Sequence, residues 1–307
     1  MDFGEYLDEL SDSSSKLQVS KLQRLSRLNE TQANELDSRW SGIEVRRRRR
    51  IVHELADLAE DNVDLNFDEV FLRGLRDEDR DVRLESMGGL WENDSPQLID
   101  KLLTIIASDS DPAVRSEAAL ALGRFVVQAV EGRLRNRHFE RIEAGLKRAI
   151  ESADEVEEVR SRALEAIGAH DSTWVRQAVS EAYESGTQRL KVSAVHAMGR
   201  SCQPRWLPLV TREATSDEAE LRYEAAVAIG LIGEDHAIPA LLPLLEDEDE
   251  QVRDAALASL GEIGGPEARE ALLKLLDSSS KATRDAAAAA LSEIDFEQDP
   301  LGFRFRN

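Results

Sequence analysis

The chain has 307 residues, 41% of them apolar, and a formal net charge of −22. That length allows a sizeable core, and that charge favours solubility and opposes a polyanion such as nucleic acid coating the whole surface. No apolar run approaches the roughly 18 residues of a membrane span, the start Met1-Asp2-Phe3-Gly4-Glu5 is acidic where a signal peptide would be basic, and Cys202 stands alone, so that disulfides have no structural part and the expected location is the cytoplasm.

Residues 1–36 follow no repeat. Phe3, Tyr6, Leu7 and Leu10 form an acidic amphipathic turn or two, Ser11-Asp12-Ser13-Ser14-Ser15 interrupts it, and Leu22, Leu25 and Leu28 resume a helical face. The stretch reads as a cap over the first exposed end of a helical core, or as a mobile helix that docks on a partner. Trp40, Ile43, Ile51, Val52 and Leu55 then look like a degenerate first repeat, opening an array expected over 37–295. Within it Arg46, Arg47, Arg48, Arg49 and Arg50 are consecutive. Helical residues step about 100° round the axis, so the five surround the helix, and at least one must lie near the core or pair with an acid. Glu35, Asp37, Glu54 and Asp57 are the acids within reach. The alternative is a binding patch for phosphate or carboxylate groups, which suits arginine's planar fork.

Downstream a motif recurs: Val-Arg, small residues three and four positions later, and a small-apolar-Gly close. Its copies begin at Val82, Val114, Val159, Leu190, Leu221, Val252 and Thr283, at intervals of 32, 45, 31, 31, 31 and 31 residues. Self-similarity at such a period indicates a solenoid. Each period holds two blocks of helical spacing, such as Ile238, Leu241, Leu242 and Leu245 followed by Val252, Ala256, Leu257 and Leu260, so each unit is a helix pair. At least fourteen helices and no sheet are expected. Asp79, Asp111, Asp249 and Ser280 are placed to cap the second helix, Gly233, Gly264 and Gly265 to stop helices, and Pro239 and Pro266 to sit in a first turn.

The 45-residue interval carries 14 extra residues between 123 and 150. Phe125, Val126, Val127 and Val130 extend the preceding helix, Gly132 ends it, and a basic stretch with Arg133, Arg135 and Arg137 follows. Insertions in arrays map to loops on one face, often the binding face, and a longer hinge is the plain alternative. After the last copy, residues 296–307 form a tail in which Phe303-Arg304-Phe305-Arg306 either seals the final repeat or is a disordered peptide.

Over residues 66 to 294 the pattern resembles the HEAT-like repeats first described in phycobilin lyases and shared with deoxyhypusine hydroxylase and many bacterial and archaeal scaffold proteins. The resemblance implies an all-α solenoid of stacked antiparallel helix pairs whose second helices line a concave face. By register that face carries Glu85, Gly88, Glu117, Leu120, Arg162, Glu165, Ser193, His196, Tyr223, Glu224, Asp254 and Asp285. A mostly acidic groove is expected, with contrast from Arg162, His196 and Tyr223.

Function must be argued from sites. The Val-Arg arginines recur in every unit and read as bridges to acids in their own or a neighbouring turn. A di-iron centre of the hydroxylase kind needs several His-Glu pairs, whereas only His53 is followed directly by Glu54, so no metal is expected. Asp77, Asp79 and Asp81 copy the start of a calcium loop, but Val82 and Gly88 occupy its required Gly and Glu positions. No Gly-rich phosphate loop or nucleophile elbow is present. The reading is a non-catalytic scaffold or adaptor that binds a partner protein along the concave face, without cofactor. Its candidate contacts are Glu117, Arg162, Glu165, His196, Tyr223, Glu224, Asp254, Arg133, Arg135, Arg137 and Arg46 to Arg50. The alternative is a bilin-lyase-like or chaperone-like accessory acting on a cofactor-bearing protein. Nucleic-acid binding is opposed by the net charge.

Overall fold

The computed structural model describes residues 2–278 and 280–298, so the reading of Phe303-Arg304-Phe305-Arg306 lies outside the described residues. Among the described residues there are seventeen α-helices and four short 3₁₀ turns, with no strand. None of these helices is long and apolar enough to cross a membrane. The chain divides into two compact units, residues 1–159 and 160–307.

The first unit holds α1 (Phe3–Ser11), α2 (Glu30–Trp40), α3 (Val45–Asp61), α4 (Asp68–Gly74), α5 (Arg80–Gly88), α6 (Pro96–Ser108), α7 (Pro112–Val130) and α8 (Asn136–Glu151). α4 packs on α5 and α6 on α7, while the second helices α3, α5 and α7 stack on one another to form a separate layer. Tyr6, Leu7 and Leu10 of α1 are buried, as are Leu22 and Leu25, which lie in a 3₁₀ turn, Val19–Leu25. The amino-terminal segment is tied down by Arg47, whose guanidinium donates to the carbonyls of Leu10 at 2.5 Å and Ser15 at 2.7 Å.

The 14 extra residues form neither loop nor hinge. They lengthen α7 to 19 residues and α8 to 16, because Phe125 and Val126 on one helix and Ile142 and Leu146 on the other continue the apolar stripe into the core. Gly132, at φ +75°, closes α7 in a Schellman arrangement, with Arg133 N donating to Gln128 O at 2.7 Å and Gly132 N to Ala129 O at 3.0 Å.

The second unit holds α9 (Glu157–Ile167, which begins just before the boundary), α10 (Thr173–Ser185), α11 (Gln188–Arg200), α12 (Leu207–Glu213), α13 (Ala219–Ile232), α14 (Ile238–Leu241, continued by a 3₁₀ turn), α15 (Glu250–Ile263), α16 (Gly265–Leu275) and α17 (Lys281–Gln298). Here α11, α13, α15 and α17 form the stacked layer, and α10, α12, α14 and α16 pack against it. Asp249 accepts from Gln251 N and Val252 N and Ser280 from Thr283 N, as do Asp79 and Asp111 in the first unit, so the four expected caps are in place.

The closing glycine of each repeat is explained by what it meets. A Cβ on Gly168 would lie 2.7 Å from Ala197 Cα, on Gly199 2.7 Å from Ala228 Cα, on Gly230 2.9 Å from Ser259 Cα, and on Gly261 3.3 Å from Ala290 Cβ. Each of these four glycines therefore faces a small residue of the next second helix, and at Gly168, Gly199 and Gly230 the two backbones approach too closely for a side chain, while at Gly261 the contact is tight but lies on the Ala290 side chain. Ser259 adds a buried hydrogen bond of 2.9 Å to Ala226 O across the same contact.

The Val-Arg arginines connect neighbouring repeats. Five of them fold back on the turn before their own helix: Arg83 donates to Asp77 O, Arg115 to Asp109 O, Arg222 to Ser216 O, Arg253 to Asp247 O and Arg284 to Ser278 O. Three of them also reach an acid of the following turn, Arg83 to Asp109 at 2.9 Å, Arg115 to Glu155 at 2.7 Å and Arg222 to Asp247 at 2.6 Å. Where lysine replaces arginine, Lys191 meets Glu213 at 2.8 Å, and that carboxylate also accepts from the Tyr183 hydroxyl. Burial, and then the Glu213 bond, push the Tyr183 hydroxyl up to about 12.

Candidate protein-binding face

The second helices of the second unit carry eight of the twelve residues expected on the face by register, and the same contacts that stack the helices decide which of them are presented. On α9, Arg162 pairs with Glu165 at 2.7 Å. Glu165 in turn accepts from the Ser193 hydroxyl of α11 at 2.6 Å, and His196 of α11 lies 3.1 Å from Glu224 of α13. Both cross-helix bonds join residues 28 apart, one repeat less three positions, so they follow from the period itself.

These bonds withdraw part of the expected face. Ser193 is buried, Glu165 is 9% exposed at its side chain and Glu224 17%, because each lies in the seam between second helices rather than on the crest. Arg162, His196, Tyr223, Asp254 and Asp285 remain accessible. Tyr223 and Asp254 flank a shallow groove between α13 and α15, completed by Val227, Gln251, Ala258 and Glu262. Glu262 and Val227 were not anticipated. Val227 sits one turn beyond Tyr223 and Glu262 two turns beyond Asp254, and the small Ala258 leaves the space between them.

In the first unit, Glu117 of α7 lines a second groove with Glu85 and Gly88 of α5. Ala56, Ala59 and Glu60 of α3, and Trp91 just after α5, also line it and were not singled out from the sequence. The signal lay in the motif itself, since Trp91 occupies the position where other copies close on glycine. His53 of α3 pairs with Glu85 at 2.9 Å at the edge of this groove. The Glu85 bond, with Asp57 nearby, holds the imidazole above its ordinary value.

The five arginines divide as helical geometry requires. Arg46, Arg49 and Arg50 are exposed and Arg47 and Arg48 are buried. Arg47 holds the amino-terminal segment. Arg48 donates to Ile43 O at 2.8 Å and meets Asp77 at 3.0 Å, which makes it the first rung of the arginine ladder in the degenerate repeat. Asp77 also accepts from Trp40 Nε1 at 2.6 Å, so the acidic turn that imitates a calcium loop is occupied by cationic and indole donors. Arg49 pairs with Asp79 and Asp81, and Arg50 with Glu54. Two of the five are thus buried in structural contacts and two of the three exposed ones are paired with acids, and only Glu54 of the expected acids is used. Glu35 pairs instead with Arg39, Asp37 with Arg73 and Arg76, and Asp57 with His53. Arg133, Arg135 and Arg137 are exposed where α7 passes into α8, with Arg133 bonded to Glu131.

Among the described residues no group of three or more His, Cys, Asp or Glu side chains is placed to hold a metal ion.

Stacked helix pairs joined by a repeating arginine-to-acid contact define a helical-repeat solenoid protein. A family model of HEAT repeats matches residues 69–135 and 208–292, so the chain carries HEAT repeats in both of its units. No curated protein matches the sequence. Among solved structures, the complex of CpcE and CpcF of phycocyanin lyase from Nostoc sp. PCC7120 is similar at a TM-score of 0.51 and 16% identity, over 92% of this chain and 97% of that one. Kap95p, from a structure with RanGDP, gives a TM-score of 0.52 at 13% identity, over 97% of this chain and 47% of its own. A Kap121p mutant gives 0.50 at 15% identity over 97% and 39%. At these identities the likeness is one of fold. The chain spans less than half the length of either Kap protein.

Proposed function

We propose that this protein is a non-catalytic scaffold that binds a partner protein through the second-helix face of its repeats, with Arg162, His196, Tyr223 and Asp254 as contacts in the second unit. The observation that carries this reading is the division of labour within each second helix. One stripe is immobilised by the glycine contacts and the cross-helix bonds, and the crest beside it leaves an aromatic ring and charged groups in solvent on a rigid support. A half-exposed tyrosine beside unneutralised charge is the kind of residue that anchors an interface. The imidazole and hydroxyl that could serve chemistry on this face, His196 and Ser193, are bonded to the carboxylates that join neighbouring helices.

Affinity capture from the source cells tests the proposal. A Tyr223→Ala/Asp254→Arg double variant should lose a species that the wild type retains, while Glu184→Lys on the exposed side of α10 should keep it. Equal capture by all three proteins, or visible absorption by a chromophore held by the purified protein, would overturn the reading.

A further inference from the structure

The geometry points to the groove of the first unit as a docking site for a basic segment of a partner protein, with the indole of Trp91 receiving an arginine or lysine side chain. This rests on the scaffold reading and specifies the chemistry of one partner segment.

The groove runs across α3, α5 and α7. Trp91 is 62% exposed, an unusual state for so large an apolar side chain. It is nonetheless held firmly from behind. Arg124 of α7 donates to the carbonyls of Leu90 at 2.9 Å, Trp91 at 2.5 Å and Asn93 at 2.8 Å, and the Asn93 side chain bonds to Ser95 N and to Asp68. The ring is therefore displayed on a fixed backbone, which lowers the entropy lost when it is covered. In front of it the surface is open, since a Cβ on Gly88 would meet nothing within 4 Å.

The ionisable residues lining this groove are all acidic. They are Glu60, Glu85 and Glu117, and Glu92 and Asp94 are exposed beside Trp91. Of the three lining carboxylates, only Glu85 has a hydrogen-bonded counter-ion among the described residues, His53. Arg124 is directed at backbone carbonyls and lies over the Phe125 ring, 4.8 Å from its centroid. An exposed indole face amid unneutralised carboxylates attracts a cation by its quadrupole and by simple Coulomb complementarity. An acidic or purely apolar segment would instead leave those carboxylates beside like charge or desolvated.

The probe is a fluorescently labelled peptide of alternating glycine and arginine, titrated by anisotropy at physiological salt against the full chain, with a citrulline version of the same length as its neutral control. The arginine peptide should bind and the citrulline peptide should not. Trp91→Ala should weaken binding by roughly 5- to 30-fold, the scale of a partly desolvated cation–π contact. Glu60→Gln/Glu117→Gln should weaken it too, whereas Glu181→Gln/Glu184→Gln, removing the same charge from α10, should not. Unchanged binding by Trp91→Ala would overturn the proposal, as would equal loss from the α10 variant, which would mean general attraction to a protein of this charge. A Trp91→Ala protein with an unaltered circular dichroism melt excludes unfolding as the cause. The two proposals fail separately. Loss of the captured partner on Tyr223→Ala/Asp254→Arg, with no effect of Trp91→Ala on either assay, leaves the scaffold and removes this groove.

Discussion

The arginine ladder shows how far residue types alone can be read. Recurrence in every copy assigned Arg83, Arg115 and Arg222 to bridges with an acid, and the spacing of the acidic turns placed Asp109 and Asp247 within reach. The recurrence could not say which of Arg46 to Arg50 belongs to the same series, because consecutive arginines carry no periodic signal. Only packing against the Asp77 turn selects Arg48. The Arg222–Asp247 pair gives the clearest prediction at this scale, both side chains being about nine-tenths buried. Removing one partner of such a pair leaves an uncompensated charge, so Asp247→Ala should cost roughly 3 kcal/mol in urea denaturation. The Arg222 hydrogen bond holds the Asp247 carboxyl below its ordinary value. A depressed carboxyl stabilises the fold above the unfolded value of about 3.9, and that contribution is lost as pH falls through the lower folded value. The wild type should therefore lose more stability than Asp247→Ala between pH 5 and the acid transition. Parallel stability–pH curves would contradict this.

At the scale of the element, the helix pairs, their caps and the closing glycines were legible because each depends on local spacing. The 14 extra residues were not. An insertion in a repeat register looks the same whether it makes a loop or two longer helices, and the decision lies with core contacts of Phe125, Val126, Ile142 and Leu146 that no local rule encodes. The contact residues on the crests were similarly mixed: register places a residue on a face, but only the neighbouring helix decides that Glu165 and Glu224 turn into the seam while Tyr223 stays out. Two substitutions probe these contacts. Gly230→Leu should lower stability by about 1–3 kcal/mol, since Ser259 occupies the space its side chain would need. A raised denaturation midpoint would show that α13 and α15 do not meet there. Gly132→Ala should cost about 1 kcal/mol, the penalty of placing an L side chain in the left-handed region that ends α7, and an unchanged melting curve would argue against that helix end.

At the scale of the molecule, the repeats build two compact units in which second helices stack as a layer, and the proposed use of those layers is binding. The fold was readable from a 31-residue period. The face was readable only in outline, and Trp91 escaped notice because a departure from a motif looks like decay until the structure shows the ring in solvent. Hydrogen–deuterium exchange of the protein with and without its captured partner is the decisive measurement for the proposed face. Slowed exchange is expected in peptides covering the second helices α11, α13 and α15, with α10, α12 and α16 unchanged. Protection confined to the first helices, or none in either layer while the partner is demonstrably bound, would contradict it.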